Sequence, residues 1–172
     1  PYTPLHHLLM RRIGRPVVCT SGNLSEEPMA VDTHDALARL GRIADVFLVH
    51  DRPIVRPVDD SVARFTPDGL QLLRRARGYA PLPIDLGFSG PTVLAVGGHL
   101  KNTVALALGG QVVVSQHVGD LDNVASLDLH ERTIQDLVEF FRVVPEAVAC
   151  DRHPDYGSTR CAERLASQWN VP

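Results

Sequence analysis

The sequence predicts an α/β protein with mixed sheets, arranged as two halves on either side of a proline- and glycine-rich seam. Three observations carry that reading. From Thr92 onward, strand-type and helix-type patterns follow in the order βββαβα, which is an α/β half-domain. The composition, 44% hydrophobic and 22% charged, is that of a chain able to build a core rather than a disordered or collagen-like one. Between the halves, the segment 76–91 carries Pro81, Pro83 and Pro91 with Gly78, Gly87 and Gly90 and has no period. Such a stretch reads as an interdomain linker or an extended crossing.

The first half opens with apolar residues at helical spacing from Pro4 to Met10, and Gly14 ends that helix. Val17-Val18-Cys19-Thr20 reads as a short buried strand, followed by the turn-prone run Thr20 to Pro28. A short helix is predicted from Thr33 to Leu40, with Asp32 or Thr33 as its cap. Val46-Phe47-Leu48-Val49 reads as another strand. Ser61–Phe65 and Leu70–Arg74 form a hairpin across Pro67-Asp68-Gly69.

The second half begins with the strand Thr92–Val96, running into Gly97-Gly98. A hairpin follows, Asn102–Leu108 and Gln111–Gln116, because Gly109-Gly110 can take the positive φ of a tight turn. Leu127, Ile134, Leu137, Val138 and Phe141 recur at helical spacing within Val124–Arg142, leaving Asp128, Glu131, Gln135 and Glu139 for water. Ala147–Cys150 is a strand, and Ser158–Gln168 a second helix.

Charge and cysteine usage exclude several classes. Seventeen Lys and Arg against 20 Asp and Glu leave a net charge of −3, which argues against wholesale binding to nucleic-acid phosphates. No hydrophobic run approaches the roughly 20 residues of a membrane span. Cys19, Cys150 and Cys161 form no CxxC pair and leave an odd count, against a disulfide framework or zinc knuckle. A cytoplasmic location is the default, with no signal peptide visible. The chain starts at Pro1, as a processed chain or an excerpt of a longer one would.

Five loops could carry chemistry. In Thr20-Ser21-Gly22-Asn23-Leu24-Ser25, hydroxyls, an amide and a glycine suit phosphate or carbonyl oxygens. Glu26 and Glu27 beside them disfavour a pure anion cradle, and an ordinary polar turn is the plain alternative. Asp59-Asp60-Ser61 precedes Arg74-Arg75-Ala76-Arg77; alternation puts Arg75 and Arg77 on one side and Arg74 on the other. Those arginines either clamp phosphate or pair with Asp59, Asp60 or Asp85. Gly97-Gly98-His99-Leu100-Lys101-Asn102-Thr103 resembles a phosphate loop between two strands, without the Walker pattern, or else is a loop with a solvated lysine. Ser115-Gln116-His117-Val118-Gly119-Asp120 closes the far end of the hairpin. Asp151-Arg152-His153-Pro154-Asp155-Tyr156 brings polar side chains to a strand end and helix start, as metal ligands, proton carriers or plain capping groups. Cys150, at the end of an apolar strand, reads as a buried inert thiol.

Taken together, PYTPLHHLL, TSGNLSEEP, ADVFLVHDRPI, VDDSV, LLRRARGYAP, LAVGGHLKNT, SQHVGDL and CDRHPDYGSTR, in that order, resemble the hydrogenase maturation carbamoyltransferase (HypF) family over nearly the whole chain. The resemblance implies a central slice of a large multidomain enzyme. Residues 1–84 would be the carboxyl-terminal part of a YrdC-like ATP-binding domain and 85–91 a linker. Residues 92–172 would be the amino-terminal part of a carbamoyl-transfer domain. That domain is related to the threonylcarbamoyl-transfer proteins of the actin-like ATPase superfamily (ASKHA).

The activity so implied uses ATP with Mg2+ and carbamoyl phosphate, forms carbamoyl adenylate, and places the carbamoyl group on the carboxyl-terminal cysteine of a partner maturation protein, towards cyanide ligands of nickel–iron hydrogenase. By position, Thr20, Ser21, Asn23 and Ser61 match residues near ATP or the adenylate, with Arg75 or Arg77 as the following arginine. Lys101, Asn102 and Thr103 would lie at a nucleotide or carbamoyl-phosphate pocket lined by Ser115, His117 and Asp120. His153, Asp155 and Tyr156 stand where related proteins carry a glycine-rich turn, a departure from the pattern. The family's zinc or iron ligands would lie outside this chain, and no metal is expected at the family position within it. Both half-folds would have exposed edges and unfilled cores. The competing readings are a double-stranded RNA module built on Arg74, Arg75 and Arg77, against which stand the net charge and 5% aromatics, and a non-catalytic structural piece.

Overall fold

The computed structural model describes residues 3–25 and 27–172; Glu26, of the predicted polar turn, lies outside the described residues, as do Pro1 and Tyr2. The element order is α1 (Pro4–Ile13), α2 (Thr33–Leu40), β1 (Val62–Thr66), β2 (Gly69–Arg74), β3 (Pro83–Ala95), β4 (Ala105–Val114), α3 (Val124–Phe141), β5 (Ala147–Ala149) and α4 (Gly157–Trp169). Helix boundaries follow their caps. Thr3 accepts the His6 N–H and Gly14 stops α1 in the left-handed region, while Asp32 accepts the N–H groups of His34 and Asp35 at the head of α2. Asn123 caps α3 through the Ser126 N–H.

The first sheet is the predicted hairpin, β1 antiparallel to β2 with Thr66 opposite Gly69. The second has the order β4-β3-β5, antiparallel between β3 and β4 and parallel between β3 and β5, where Leu94 faces Val148. Within it the chain reverses between Val104 and Ser115. The Ser115 N–H donates to the Val104 carbonyl at 2.8 Å, and Asn102 pairs with Gly119. Midway stands Gly109 at φ +58°, so the predicted two-glycine hairpin is present, its turn included in β4. β3 consequently meets both limbs of β4, Val93 opposite Ala107 and Pro83 opposite Val113.

The core belongs to this half. Leu94, Val96, Val104, Leu106 and Val113 from the sheet region pack with Ile134 and Leu137 of α3 and Cys161, Ala162 and Leu165 of α4. Each large aliphatic side chain so buried contributes about 1.5–3 kcal/mol. The polar face predicted for α3 is exposed at Asp128, Glu131, Gln135 and Glu139.

Three expectations are corrected. Val17–Thr20 and Val46–Val49 form no strand: Val18 is fully exposed and Val46 is 84% exposed. Their β-type composition has no neighbouring strand among the described residues, and without one the backbone groups gain nothing from extended pairing. Before Pro83, Ala76 is the sole buried apolar residue among those described. The segment 85–91, read as linker, is part of β3, because the returning limb of β4 offers Asp85 a partner in Gln111. Cys150 is exposed, since β5 ends at Ala149.

The halves meet through backbone and charge. The His117 N–H donates to the Arg75 carbonyl at 3.1 Å, and Arg56 Nε reaches Asp136 Oδ2 of α3 at 2.5 Å.

Candidate functional site

At that meeting lies a cavity of about 280 Å³ whose walls come from both halves. Ser21, Asn23, Glu27, Asp59 and Arg74 supply one side, Lys101, His117, Gly119, Asp120 and Ser126 the other.

On the first wall, the Asn23 side chain donates to the carbonyls of Leu24 and Glu27, both at 2.9 Å. It shapes the turn, and Ala30 N–H to Gly22 C=O closes it. Glu27 is held by Arg39 at 3.4 Å. Arg74, the last residue of β2, leans towards Asp59 at 3.7 Å.

The second wall rests on the glycine loop after β3. Gly97 stands at φ +75°, and a Cβ there would meet the Thr103 carbonyl oxygen at 2.2 Å, so only glycine fits. Asn102, buried, donates from Nδ2 to the carbonyls of Val96 (2.9 Å) and Gly98 (2.6 Å). The Val96 carbonyl also receives His130 Nε2 of α3 at 2.9 Å. Burial holds His130 below the ordinary histidine range, which keeps that ring neutral at neutral pH. Lys101, itself at φ +51°, gives its backbone N–H to Asp120 Oδ1 at 2.7 Å and its ammonium to both carboxylate oxygens, at 3.0 and 2.8 Å. The Lys101 side-chain bond, then its backbone N–H, hold Asp120 below the usual carboxylate range. Desolvation first, and the nearby Arg74 guanidinium second, press His117 down, with Asp59 pulling the other way. The cavity thus offers two cations, an imidazole neutral at pH 7, and three carboxylates. That set can hold a phosphate and accept a proton.

Of the residues singled out in the sequence, Ser21, Asn23, Lys101, His117 and Asp120 come together here. Arg75 and Thr103 line an adjoining cavity of about 400 Å³ that shares Arg74, Lys101 and His117 with the first. Arg75 donates to the Leu82 carbonyl, and Arg77 to the Val58 carbonyl with Asp60 at 3.4 Å. The three arginines therefore present no shared basic face. Ser61 Oγ links the Arg77 carbonyl to the Ala76 N–H, and Ser115 Oγ links the Gln116 carbonyl to the Val104 N–H. Thr20 is exposed and lines neither cavity. His153 and Asp155 lie apart. The His153 ring stacks on Tyr156 at 4.2 Å, Tyr156 stacks on His99 at 4.9 Å, and Asp155 pairs with Arg160 at 3.5 Å.

Arg74, Asp59 and Glu27, named in the candidate loops but not assigned to a pocket from the sequence, also line the site. Alternation separates Arg74 from Arg75, but only the docking of the second half puts Arg74 in the chamber, while both arginines share the adjoining cavity with Lys101. Among the described residues, no group of three His, Cys, Asp or Glu could hold a metal ion, and no helix is long and apolar enough to cross a membrane.

Comparison with known proteins bears on the whole chain. A family described as the HypF Kae1-like domain matches residues 89–172, and the Sua5, YciO and YrdC family, described as telomere recombination, matches residues 1–76. Carbamoyltransferase HypF of Synechocystis sp. is 51% identical over 168 residues, 96% of this chain and 22% of that protein. Carbamoyltransferase HypF of Rhizobium leguminosarum bv. viciae is 43% identical, over 95% of this chain and 22% of its own length. A crystal structure of full-length HypF in a phosphate- and nucleotide-bound form superposes with a TM-score of 0.90 at 46% identity, covering all of this chain and 27% of that one. HypF of T. kodakarensis gives a TM-score of 0.83 at 36% identity over 89% of this chain and 20% of its own. The chain thus spans under a quarter of the length of these two curated relatives.

Proposed function

The chain belongs to the HypF carbamoyltransferase family, and from that premise we propose that it supplies a phosphate-handling chamber of an ATP-dependent carbamoyltransferase of nickel–iron hydrogenase maturation. The observation that carries this is the cavity in which Ser21, Asn23 and Arg74 of one half face Lys101, His117 and Asp120 of the other. On this reading residues 1–84 belong to the YrdC-like part and 92–172 open the carbamoyl-transfer part, with 85–91 running between them as part of β3.

The reaction proceeds in three displacements. Water takes the phosphoryl group of carbamoyl phosphate, the O–P bond breaks, and inorganic phosphate and carbamate result. A carbamate oxygen then attacks the α-phosphorus of ATP, and the bond to pyrophosphate breaks. The mixed anhydride then meets the carboxyl-terminal cysteine of a partner maturation protein. Its thiolate attacks the carbonyl carbon and AMP departs with the C–O electron pair. Lys101 and Arg74 offset the charge gathered on phosphate oxygens, and in a partly desolvated cavity that attraction is stronger than in water. His117, neutral at working pH, accepts the thiol proton. Among the described residues no group of three His, Cys, Asp or Glu could hold a metal ion, and Mg2+ is assigned to the nucleotide's own phosphates. A cytoplasmic setting follows from the need for a free thiol and ATP.

The test is thermal unfolding of the chain with ATP, AMP and carbamoyl phosphate, each with magnesium, alongside Asn23→Ala and Lys101→Ala. A ligand at about 100 times its Kd adds about 2.7 kcal/mol of stability. A shift lost in either variant supports the chamber; a cooperative transition unmoved by every ligand refutes it.

A further inference from the structure

The contacts of Asp120 have the form of an anion site that is already filled by the chain itself. Its carboxylate receives one backbone N–H, from Lys101 at 2.7 Å, and one ammonium that reaches both oxygens at 3.0 and 2.8 Å. A backbone N–H and a lysine converging on two oxygens is the arrangement by which proteins grip a phosphate. Lys101 holds it from the left-handed region, a backbone conformation that costs an L-residue free energy and persists only where the surroundings impose it. Those surroundings are specific. Asn102 is bridged to Gly119 on one side and to Val96 and Gly98 on the other, so the N–H of Lys101 is aimed by buried bonds rather than by its own side chain. The ammonium is different: the Lys101 side chain is 75% exposed while that of Asp120 is 24% exposed, so the lysine end is the one free to swing.

We propose that Asp120 is an internal competitor for the anion site formed by Lys101, setting a threshold that only a multiply charged phosphate overcomes. This deepens, and rests on, the reading of the cavity as a phosphate chamber. A dianionic phosphate group attracts the N–H and ammonium more strongly than the singly charged carboxylate does. A chloride or a simple carboxylate has no such advantage and stays out. Asp120 is therefore a specificity-determining residue acting through Lys101, and its removal by an isosteric amide should improve binding rather than weaken it. Asp120→Asn keeps an oxygen for the Lys101 N–H and so preserves the loop while discarding the competing charge.

The experiment is calorimetric titration of inorganic phosphate into the full chain, its Asp120→Asn variant, and the Lys101→Met, Asp120→Asn double variant. The expected result is phosphate bound about tenfold more tightly by Asp120→Asn, a gain of about 1.4 kcal/mol, and lost in the double variant. Equal or weaker binding by Asp120→Asn overturns the proposal. Should wild type bind phosphate too weakly to measure, Lys101-dependent binding in Asp120→Asn supports it and none overturns it. If the variant does not fold, the NMR shift of the Asp120 carboxyl carbon in wild type decides, read at about pH 8 where phosphate is a dianion. Saturating phosphate should move that resonance as the Lys101 ammonium leaves the carboxylate, and an unmoved resonance overturns the proposal. ATP binding that depends on Arg74 judges the chamber separately: where it holds and Asp120→Asn gains nothing, only this inference falls.

Discussion

The side-chain amide of Asn102 donates to the carbonyl of Val96 at 2.9 Å, tying the loop that carries Lys101 back to the end of β3. The same nitrogen serves Gly98 at 2.6 Å, and the residue is 1% exposed. Asn102→Ala should lower stability by about 1–3 kcal/mol, since the buried Val96 carbonyl loses one of its two donors and the part-buried Gly98 carbonyl loses its donor. Urea unfolding would show this as a reduced midpoint at unchanged slope; a loss under about 0.5 kcal/mol, the range of an ordinary surface substitution, contradicts it.

Two glycines with positive φ should respond differently to alanine. Gly97 has no room for a Cβ beside the Thr103 carbonyl, whereas Gly109 has nothing within 4 Å. Gly109→Ala then costs only the left-handed conformation, about 1–2 kcal/mol. Gly97→Ala adds a backbone clash and should exceed it by about 2 kcal/mol or prevent folding. Similar melting temperatures for the two would count against this description of the loop.

Stability should depend on pH through His130. Its folded pKa lies below the ordinary 6.5 because of burial, with the Val96 carbonyl and Glu131 acting the other way. Below pH 6.5 the unfolded chain therefore binds the proton first. Stability is full above pH 6.5 and falls as the pH drops from there towards the folded value. His117, also lowered, adds a second slope in the same window. His130→Gln should flatten the decline between pH 7 and 5.5 by one proton's share, measured by urea titration at each pH. An unaltered slope would show that His130 does not titrate on unfolding.

Arg74 and Arg75 are neighbours with separate fates. Arg74 lines the chamber, while Arg75 donates to the Leu82 carbonyl. Arg74→Ala should weaken ATP binding more than about tenfold, the scale of one charged hydrogen bond to phosphate. Arg75→Ala should change it less than about threefold, as a residue of the adjoining cavity. Fluorescence titration of both variants tests the assignment, and the reverse order would move the site to the adjoining cavity.

Local chemistry was legible from the residues alone. Asp32 announces a helix start and Gly14 a helix end, Gly109-Gly110 and Pro67-Asp68-Gly69 announce turns, and the period of Ile134, Leu137 and Phe141 announces an amphipathic helix. Each of these depends on contacts within a few residues, which the order of side chains dictates. The resemblance to HypF was equally legible, since eight motifs in order are a property of the sequence.

Tertiary structure decided what depends on a neighbour. Val17–Thr20 and Val46–Val49 have the composition of strands yet pair with nothing described, because a strand is completed only by a second strand. The segment 85–91 became strand for the opposite reason, when the folded-back limb of β4 met Asp85. Arg74 rather than Arg75 or Arg77 shares the chamber with Lys101, although a strand's alternation fixes only that neighbouring side chains diverge. Which face meets the other half is set by packing between residues more than twenty positions apart, such as the bond from His117 to Arg75. Sequence order determined the parts and their family; the approach of the two halves decided which charges share a chamber.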